Sequence, residues 1–384
     1  MNSLETILVA AGIVLYAPTI LVALLNLAMW RRDDVQGTAC ASSVSVLIPA
    51  RNEETTLENC VNSVVSHAPA LAEILIYNDD STDQTQAVID QLRMQFPGIV
   101  RQVPRRDLPE NWAGKTHACQ RLAESATARW LLFLDADTQV MPGAIDRLVG
   151  IAEKRKASLL SAWPHIEMRS ITERLLMPLL NFVVFTLFPA PIARVRPGAA
   201  LGLAHGACIL ADREAYTRLG GHALVHAQLF EDTMLAREWR ALGENSQVTD
   251  GRLVASVRMY DDFRGIWNGF TKNYYPAFSS RLSFLIFQLY ISVTGFLLPA
   301  FVIALVASSI LTPAWLPLAA ASVAARLLVA LRFRHPLSSV LFHPFAVALM
   351  VVLGFRSWWL SEHGGGVEWK GRQYRSSGTV SRNE

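Results

Sequence analysis

The segment Trp130-Leu-Leu-Phe-Leu-Asp135-Ala136-Asp137 places five apolar residues directly before two carboxylates that stand one residue apart. A buried strand of this kind delivers its last side chains to the carboxyl edge of a sheet, where open α/β folds bind ligands. Two carboxylates around a small residue suit a hard divalent cation that also holds a diphosphate. An ordinary strand ending in a polar turn has the same pattern, so this segment alone leaves both interpretations open.

Short apolar runs alternate with helical patterns on both sides of this segment. The pattern predicts strands at residues 45–49, 74–77, 99–103 and 130–134, and helices at residues 53–67, 81–96 and 115–126. Ser81 or Thr82 is the expected N-cap of the second helix. Such alternation implies an α/β fold with a mainly parallel, Rossmann-like sheet. Farther along the chain, residues 230–242 are predicted as a helix and residues 253–260 as a strand.

The composition predicts membrane segments around this globular region. Hydrophobic residues make up 52% of the chain and charged residues only 17%, which is more apolar than a typical soluble domain. Residues 6–30 carry no charge and are long enough to cross a bilayer. A signal peptide fits less well, because Met1-Asn-Ser-Leu-Glu5 lacks a basic residue and the apolar run is too long. Weaker candidates are residues 284–309, residues 314–331 with Arg326, and residues 337–355 with His343.

These features predict four parts of the chain. They are a transmembrane anchor at residues 1–32, a globular α/β domain at 40–280, membrane helices at 281–360 and a polar tail at 361–384. Within the globular domain, residues 174–195 are apolar but interrupted by Pro178, Pro189 and Pro191, which favours an interfacial segment.

Basic residues follow the first and third apolar segments, at Arg31-Arg32 and at Arg332, Arg334 and His335. By the positive-inside tendency, the globular domain is expected on the cytoplasmic side of the cell (inner) membrane. The net charge of +3 is small and the basic residues form no stripe, so no nucleic-acid partner is expected. The four cysteines lack metal-site spacing and are expected as small buried residues.

Polar groups follow three of the predicted strands. The segments are Pro49-Ala50-Arg51-Asn52-Glu53-Glu54, Asn78-Asp79-Asp80-Ser81-Thr82-Asp83 and Asp135-Ala136-Asp137-Thr138. Each alone could merely cap a helix. Their occurrence together, at neighbouring strand ends, favours a ligand site. The sequence has no Walker loop and no Gly-x-Gly-x-x-Gly after a strand, which argues against nucleoside-triphosphate hydrolysis and dinucleotide binding.

Together these three segments resemble the signature of glycosyltransferase family 2 enzymes, which have the GT-A fold. The resemblance covers about residues 44 to 260. It implies that Asp79 recognises the uracil ring of a UDP-sugar and that Pro49, Ala50 and Glu53 form the wall of the nucleotide pocket. It also implies that Asp135 lies near the ribose and that Asp137 is the ligand of Mg²⁺ or Mn²⁺ in the Asp-x-Asp motif.

Two further segments extend the resemblance. Leu108-Pro-Glu-Asn111-Trp112-Ala-Gly114-Lys115 resembles the Gly-Trp-x-Gly-Lys loop of membrane glycosyltransferases that act on lipids, although Asn111 replaces the first Gly. Lys115 would then place its charge near the diphosphate, or it is a solvated lysine at a helix start. Phe230-Glu231-Asp232-Thr233 matches the family's Glu-Asp motif, in which Asp232 is the catalytic base of an inverting displacement and Glu231 lies on the acceptor side. The alternative is that both acids only cap a helix.

The tail segment Gly366-Val-Glu-Trp369-Lys370-Gly371-Arg372-Gln-Tyr374 looks like the Trp-Lys-Gly-Arg-x-Tyr ending of carotenoid, hopanoid-associated and ceramide-type glycosyltransferases. Arg372 could clamp the diphosphate, or the tail is a basic anchor beside the membrane. If all three late segments cross the bilayer, the tail lies outside and cannot reach a cytoplasmic site. Either one segment is interfacial or re-entrant, or Arg372 has no catalytic role.

The predicted function is transfer of one sugar from a UDP-sugar to a lipid acceptor, isoprenoid-like (carotenoid or hopanoid) or ceramide-like, at the bilayer. A polysaccharide or oligosaccharide synthase is the first alternative. Processive synthases carry Gln-x-x-Arg-Trp, whereas this chain has Phe263-Arg264-Gly-Ile-Trp267, in which Trp267 is an acceptor-side candidate. A non-catalytic membrane protein that retains a nucleotide fold is the second alternative, against which Asp79, Asp135, Asp137 and Asp232 argue together.

Overall fold

The computed structural model describes residues 3–30, 43–68, 71–364, 367–370 and 372–374. The chain forms two compact units that interleave along the sequence. The helical unit holds Met1–Arg31, Met168–Ile192 and Tyr260–Gly364. The sheet unit holds Arg32–Glu167, Ala193–Met259 and Gly365–Glu384. The tail therefore belongs to the sheet unit, although it follows the last helices in the sequence.

An eight-stranded mixed sheet organises the sheet unit. Its strands are β1 (Val44–Ala50), β2 (Glu73–Asn78), β3 (Val100–Gln102), β4 (Trp130–Leu134), β5 (Thr138–Val140), β6 (Leu159–Ile166), β7 (Cys208–Asp212) and β8 (Ser246–Val257). They are ordered β3-β2-β1-β4-β7-β6-β8-β5. The first four in that order are parallel, as the alternation predicts, whereas β7 and β5 pair antiparallel to their neighbours.

Helices cover both faces of this sheet. They are α2 (Leu57–His67), α3 (Thr85–Gln95), α4 (Gly114–Ser125), α5 (Ala144–Arg155), α9 (Arg213–Leu219) and α10 (Glu231–Ala241). Alternate residues of β1 point to opposite faces: Val46 and Ile48 pack with α2, α3 and α5, and Leu47 packs with α4, α9 and α10. Burial on both faces explains why β1 and β4 are continuous apolar runs.

Two of the expected local features differ in the structure. Helix α3 begins at Thr85 with Gln84 as its N-cap, so the expected capping by Ser81 or Thr82 is wrong. The Ser81 hydroxyl instead accepts a hydrogen bond from the backbone of Asn52, which joins two loops. Strand β8 begins at Ser246, well before the expected residue 253. The sequence pattern missed its first half because polar residues are buried there, such as Asp250, which pairs with Arg252 at 2.9 Å. A polar strand of this kind has no alternating apolar pattern to reveal it.

The helical unit contains the long apolar helices. Its helices are α1 (Ser3–Met29), α6 (Ile171–Leu176), α7 (Pro178–Leu187), α11 (Phe263–Asn273), α12 (Arg281–Ser292), α13 (Leu298–Ala307), α14 (Leu316–Phe333), α15 (Ser338–Leu341) and α16 (His343–Glu362), and α8 (Ala190–Val195) crosses the sequence boundary between units. A π-helical turn at Val293–Leu297 joins α12 to α13. Among the described residues, four helical stretches are long and apolar enough to cross a membrane: Glu5–Met29, Arg281–Ala307, Pro313–Phe333 and His343–Glu362.

The prolines of residues 174–195 divide that segment into short helices. Pro178 is the first residue of α7, where its missing N–H costs no hydrogen bond. Ser170 begins α6 with a capping box that includes Glu173. No helix of this segment reaches the length needed to span a bilayer.

The long helices of the helical unit pack along one another in defined directions. Helix α1 packs against the end of α12 and the π-helical turn that follows it, where Tyr16 contacts Thr294 and Thr19 contacts Tyr290. The C-terminal end of α14 lies beside the C-terminal end of α1, where Arg332 donates to the carbonyl of Trp30 at 3.0 Å. Helix α16 runs antiparallel to α12, with contacts of Val347 to Gly295, Val351 to Gln288 and Ser357 to Tyr275.

Candidate active site

Parallel strand ends bring the carboxylates of the sheet unit to one edge. The last residues of β1 and β2, Ala50 and Asn78, are paired in register. The Asp79 amide donates to the Ala50 carbonyl at 2.8 Å, which fixes the chain as it leaves β2. Glu53 follows β1, and Asp135 and Asp137 follow β4, the other neighbour of β1. Pro49 and Ala50 are the final residues of β1, directly beside this group.

Two loops at this edge are locked together by short polar side chains. Asn52 has φ 53°, a left-handed conformation that asparagine tolerates better than most residues. Its side-chain carbonyl accepts a hydrogen bond from the Thr82 amide at 2.8 Å. Asn78 accepts a hydrogen bond from the Ser81 amide at 3.0 Å. These bonds hold Glu53 and Asp79, which the two loops carry, in a fixed relation.

Lys115 bridges two carboxylates and is not a solvated lysine. It lies in the first turn of α4, and its Nζ is 2.7 Å from Asp135 Oδ1 and 2.7 Å from Glu231 Oε1. Burial alone would lower the pKa of Lys115, but the two carboxylates outweigh it and raise that pKa well above its ordinary value. Lys115 is therefore a fixed positive charge between the strand end of β4 and the start of α10.

Asp137 offers an oxygen that lacks a protein partner. Its Oδ1 is buried, and no hydrogen-bond donor among the described residues reaches it. Burial, together with the charges of Asp135 and Glu53, raises the pKa of Asp137 to about 7. In the described ranges, no group of three or more His, Cys, Asp or Glu residues could hold a metal ion. The residues fit a divalent cation that takes one carboxylate from the protein and its other ligands from diphosphate and water.

Asp232 is oriented by two backbone amides at the start of α10. Its Oδ2 accepts a hydrogen bond from the Gly206 amide at 2.8 Å, and its Oδ1 accepts one from the Thr233 amide at 2.6 Å. Burial, followed by the charge of Glu231, raises the pKa of Asp232 to about 7. A carboxylate with this pKa can accept a proton near neutral pH, which a surface aspartate does poorly.

Gly206 is the point around which these groups meet. A Cβ atom at this position would lie 2.9 Å from Lys115 Nζ and 3.4 Å from a carboxylate oxygen of Asp135 and of Asp232. The structure thus brings together three side chains that come from α4, β4 and α10. The neighbouring His205 is buried, and burial lowers its pKa to about 4. His205 Nδ1 accepts from the Ala207 amide at 3.2 Å, so Nε2 carries the proton, and no acceptor in the described part of the chain binds it.

The tail reaches the same edge of the sheet. Strands β9 (Val367–Trp369) and β10 (Arg372–Tyr374) form an antiparallel hairpin, which we call the tail hairpin. The Arg372 guanidinium binds both carboxylate oxygens of Asp79, with Nη2 at 3.0 Å from Oδ1. Lys370 forms an ion pair with Glu53. The structure therefore places Arg372 in the sheet unit, beside the residues that the sequence assigns to the nucleotide pocket.

Several candidates are placed differently or lie outside the description. Trp267 is on α11 of the helical unit, so its acceptor-side role stays a prediction. Asn111 has φ 65°, which explains how it replaces the glycine of the related loop. Arg31, Arg32, Cys40 and Gly371 lie outside the described residues, as does the side chain of Trp369. The sequence placed Gly206, Arg51 and Lys370 only within longer motifs and assigned no individual role to any of them.

The sheet unit is thus an α/β domain with carboxylates after the ends of its parallel strands and a second acidic pair, Glu231 and Asp232, at the start of α10. The family model described as glycosyl transferase family 2 matches residues 45–220. The chain is therefore a glycosyltransferase, and residues 45–220 are the part that is similar to family 2.

Known proteins resemble this chain in sequence and in fold. The 4,4'-diaponeurosporenoate glycosyltransferases of two Staphylococcus aureus strains are 24% identical to it over 353 and 365 residues, covering 87% of this chain and 89% of each relative. The mannosyltransferase PcManGT from Pyrobaculum calidifontis, solved in complex with GDP-Man and Mn²⁺, matches with a TM-score of 0.55 and 17% identity. That match covers 92% of this chain and 100% of the solved one, which shows that the fold is GT-A.

Proposed function

We propose that this enzyme transfers one sugar from a UDP-sugar to an apolar lipid acceptor at a membrane surface, with inversion at the anomeric carbon. The observation that carries the proposal is the meeting of Lys115, Asp135 and Asp232 around Gly206, at the edge where Asp79 and Asp137 also follow strand ends. Within one compact unit, this arrangement would combine a nucleotide contact at Asp79, a positive charge for the diphosphate at Lys115 and an oriented base at Asp232. A scaffold protein would gain nothing from an oriented, buried carboxylate of raised pKa.

The donor side of the proposal rests on the carboxylates of the strand ends. Asp79 would accept the N–H of uracil, with Pro49, Ala50 and Glu53 beside it and Asp135 near the ribose. Lys115 would bind the diphosphate as a point charge. Asp137 would hold Mg²⁺ or Mn²⁺, which when bound supplies neutralisation of the charge that develops on the leaving diphosphate.

The acceptor side of the proposal rests on Asp232. An acceptor hydroxyl oxygen attacks the anomeric carbon, and the bond from that carbon to the diphosphate oxygen breaks as UDP leaves. Asp232 takes the hydroxyl proton during this step, held in position by the amides of Gly206 and Thr233. Glu231 contributes indirectly, because it helps to fix the Lys115 ammonium. Attack from the side opposite the diphosphate inverts the configuration.

The acceptor class is suggested by the relatives and by the helical unit. The Staphylococcus aureus relatives are named for a carotenoid acid. Within the described residues, four helical stretches are long and apolar enough to cross a bilayer, which supports delivery of an apolar acceptor from the membrane. We therefore propose a carotenoid-like or other isoprenoid acceptor. A carboxylate acceptor needs no base at neutral pH, whereas a hydroxyl acceptor does, so Asp232→Asn distinguishes these two acceptor types.

The return of the tail to the sheet unit limits the membrane topology. The chain leaves the sheet unit at Tyr260 and rejoins it at Gly365, so it crosses the bilayer an even number of times in between. Helix α14 ends at the level of Trp30, which follows the end of α1, and α16 ends beside Tyr275, just before α12 begins. We propose that α16 is re-entrant and does not cross. The basic residues near the end of α14 favour the cytoplasmic face of the cell membrane for the sheet unit.

Lipid mass spectrometry tests the proposal directly. Cells that produce the native chain should contain a lipid that is heavier by one sugar residue than in cells that produce the Asp232→Asn variant. The variant serves as the matched control, because it keeps the fold and the membrane helices. A ladder of sugar additions would instead support an oligosaccharide synthase. Identical lipid extracts from cells that produce the native chain and from cells that lack it, with the native protein present in the membrane, would refute the proposal.

A further inference from the structure

We propose that the tail hairpin is a donor-responsive strap, which exchanges its ion pairs with Asp79 and Glu53 for the diphosphate when a UDP-sugar binds. This inference rests on the proposed function, and it names a regulatory contact of the same site. The arrangement seen in the structure is called the latched arrangement below.

The first latch is the pair of Arg372 and Asp79. The guanidinium uses two nitrogens on the two carboxylate oxygens, and the whole Asp79 residue is only 8% exposed. Gly114 lies directly beneath the pair, because a Cβ atom there would overlap both Arg372 Nη1 and Asp79 Oδ2. In the latched arrangement, Arg372 therefore engages both oxygens of a carboxylate that is almost fully enclosed, and a uracil N–H has to compete with the guanidinium to reach it. Arg372 and the base compete for one carboxylate.

The second latch joins the turn of the hairpin to the neighbouring loop. Lys370 pairs with Glu53, and its φ of 45° places it in the left-handed conformation of a tight turn. Arg51 connects the hairpin to the loop that carries Asp79. Its Nε donates to the Lys370 carbonyl at 3.0 Å, and its Nη1 donates to the Asp79 carbonyl at 2.5 Å. The hairpin is thus held by side-chain ion pairs that can exchange and by a hydrogen bond from the Arg51 side chain to the Lys370 carbonyl that can remain.

The charges of the site make such an exchange favourable only for a complete donor. If a base displaces Arg372 from Asp79, the guanidinium is left partly buried without an anion, which is costly. A diphosphate supplies that anion, because arginine binds phosphate through two parallel hydrogen bonds and lysine binds it as a point charge. UDP therefore provides a partner both for Asp79 and for the displaced Arg372 guanidinium, whereas uridine provides one only for Asp79. The strap should favour nucleotides that carry a diphosphate over the bare nucleoside.

Binding of uridine and of UDP to the full-length protein in nanodiscs tests this exchange. We expect Arg372→Gln to bind uridine more tightly, by about tenfold, since the competitor for Asp79 is gone. The same variant should bind UDP more weakly, by about tenfold, since the diphosphate loses its guanidinium. Lys370→Gln should also bind uridine more tightly and UDP more weakly, each by a smaller factor. The UDP-to-uridine preference is the diagnostic quantity.

Arg105→Gln is the matched control. Arg105 pairs with the adjacent Asp80 at 2.7 Å, but this pair is about half exposed and does not contact Asp79. The preference should stay native in this variant. Hydrogen exchange of residues 367–374 adds a readout that affinity alone lacks, and it should change on addition of UDP but not of uridine.

The outcomes separate the strap from the function on which it rests. Absence of UDP binding by the native protein would overturn the proposed function itself. Native UDP binding with an unchanged preference in Arg372→Gln, or with uridine and UDP weakened by the same factor, would overturn the strap alone.

Discussion

The rate of sugar transfer should fall on acidification as Asp232 becomes protonated, with a midpoint at the pKa of this carboxyl group. Burial and the neighbouring Glu231 raise the pKa of this carboxyl to about 7. Only the ionised form accepts the acceptor proton, and its fraction falls from about 0.9 at pH 8 to about 0.01 at pH 5 for a single group. With a hydroxyl acceptor, kcat/KM should therefore fall by roughly 90-fold across this range, because it reports ionisation of the free enzyme.

Asp137 titrates in the same range and must be separated from Asp232. Its pKa is also raised to about 7 by burial and by the charges of Asp135 and Glu53. A metal-binding carboxylate must be ionised. A higher cation concentration therefore moves its acid limb, the fall of the pH–rate profile at low pH, to lower pH. The limb of a general base does not depend on the cation in this way. Initial rates of UDP release at subsaturating donor, measured at two Mn²⁺ concentrations from pH 5.5 to 8.5, resolve the two groups.

Two variants complete this test. Asp232→Asn should retain UDP binding but lose transfer by about 10²-fold or more, with no acid limb of its own. Asp146→Asn, in the first turn of α5, should keep the native profile. A native profile that is flat at high Mn²⁺, or whose entire acid limb moves with the cation, would refute the assignment of Asp232 as a base that titrates near pH 7.

Three further changes test other parts of the site. Gly114→Ala should weaken UDP binding by about tenfold or more, because its Cβ overlaps the Asp79 carboxylate, whereas Gly198→Ala has open space and should bind UDP normally by calorimetry. Asp137→Ala should lose at least about 100-fold in cation-dependent turnover; near-native rates across a Mn²⁺ titration would exclude it as the metal ligand. Asp232→Asn should raise the thermal unfolding midpoint clearly more at pH 8 than at pH 5. The reason is that a folded-state pKa of about 7, above the unfolded value of about 4, gives stability that is lost as pH rises through 7; equal shifts at both pH values would contradict it.

The sequence predicts the central strands well, because strands that are buried on both faces need continuous runs of apolar residues. Strand β4 was expected at residues 130–134 and is found at Trp130–Leu134. The long apolar helices were likewise detectable by composition, although α16 begins at His343 and not at residue 337. Strand β8 was only half recognised, since Ser246 and Asp250 are buried polar residues that break the alternating apolar pattern.

From the pattern of strands alone, site residues could be predicted only where a strand end supplies them, whereas Lys115, Asp232 and Arg372 were proposed from the family resemblance. Asp79, Asp135 and Asp137 each follow an apolar run, so their clustering follows from a parallel sheet. The contact between Asp79 and Arg372 joins residues 293 positions apart, and no local pattern encodes it. The role of Gly206 was equally unpredictable, because it lies in the side chains that approach this glycine and not in its own chemistry.

The tail hairpin also sets the order in which the enzyme can mature. Asp79 and Glu53 are synthesised before any helix after residue 260, whereas Lys370 and Arg372 emerge only after α16. Under the strap proposal, a growing chain cannot hold a donor through all of its contacts until its membrane helices have been made. Chains that terminate early would enter the membrane without a finished donor pocket, so incomplete translation products would neither sequester nucleotide sugar nor modify lipids.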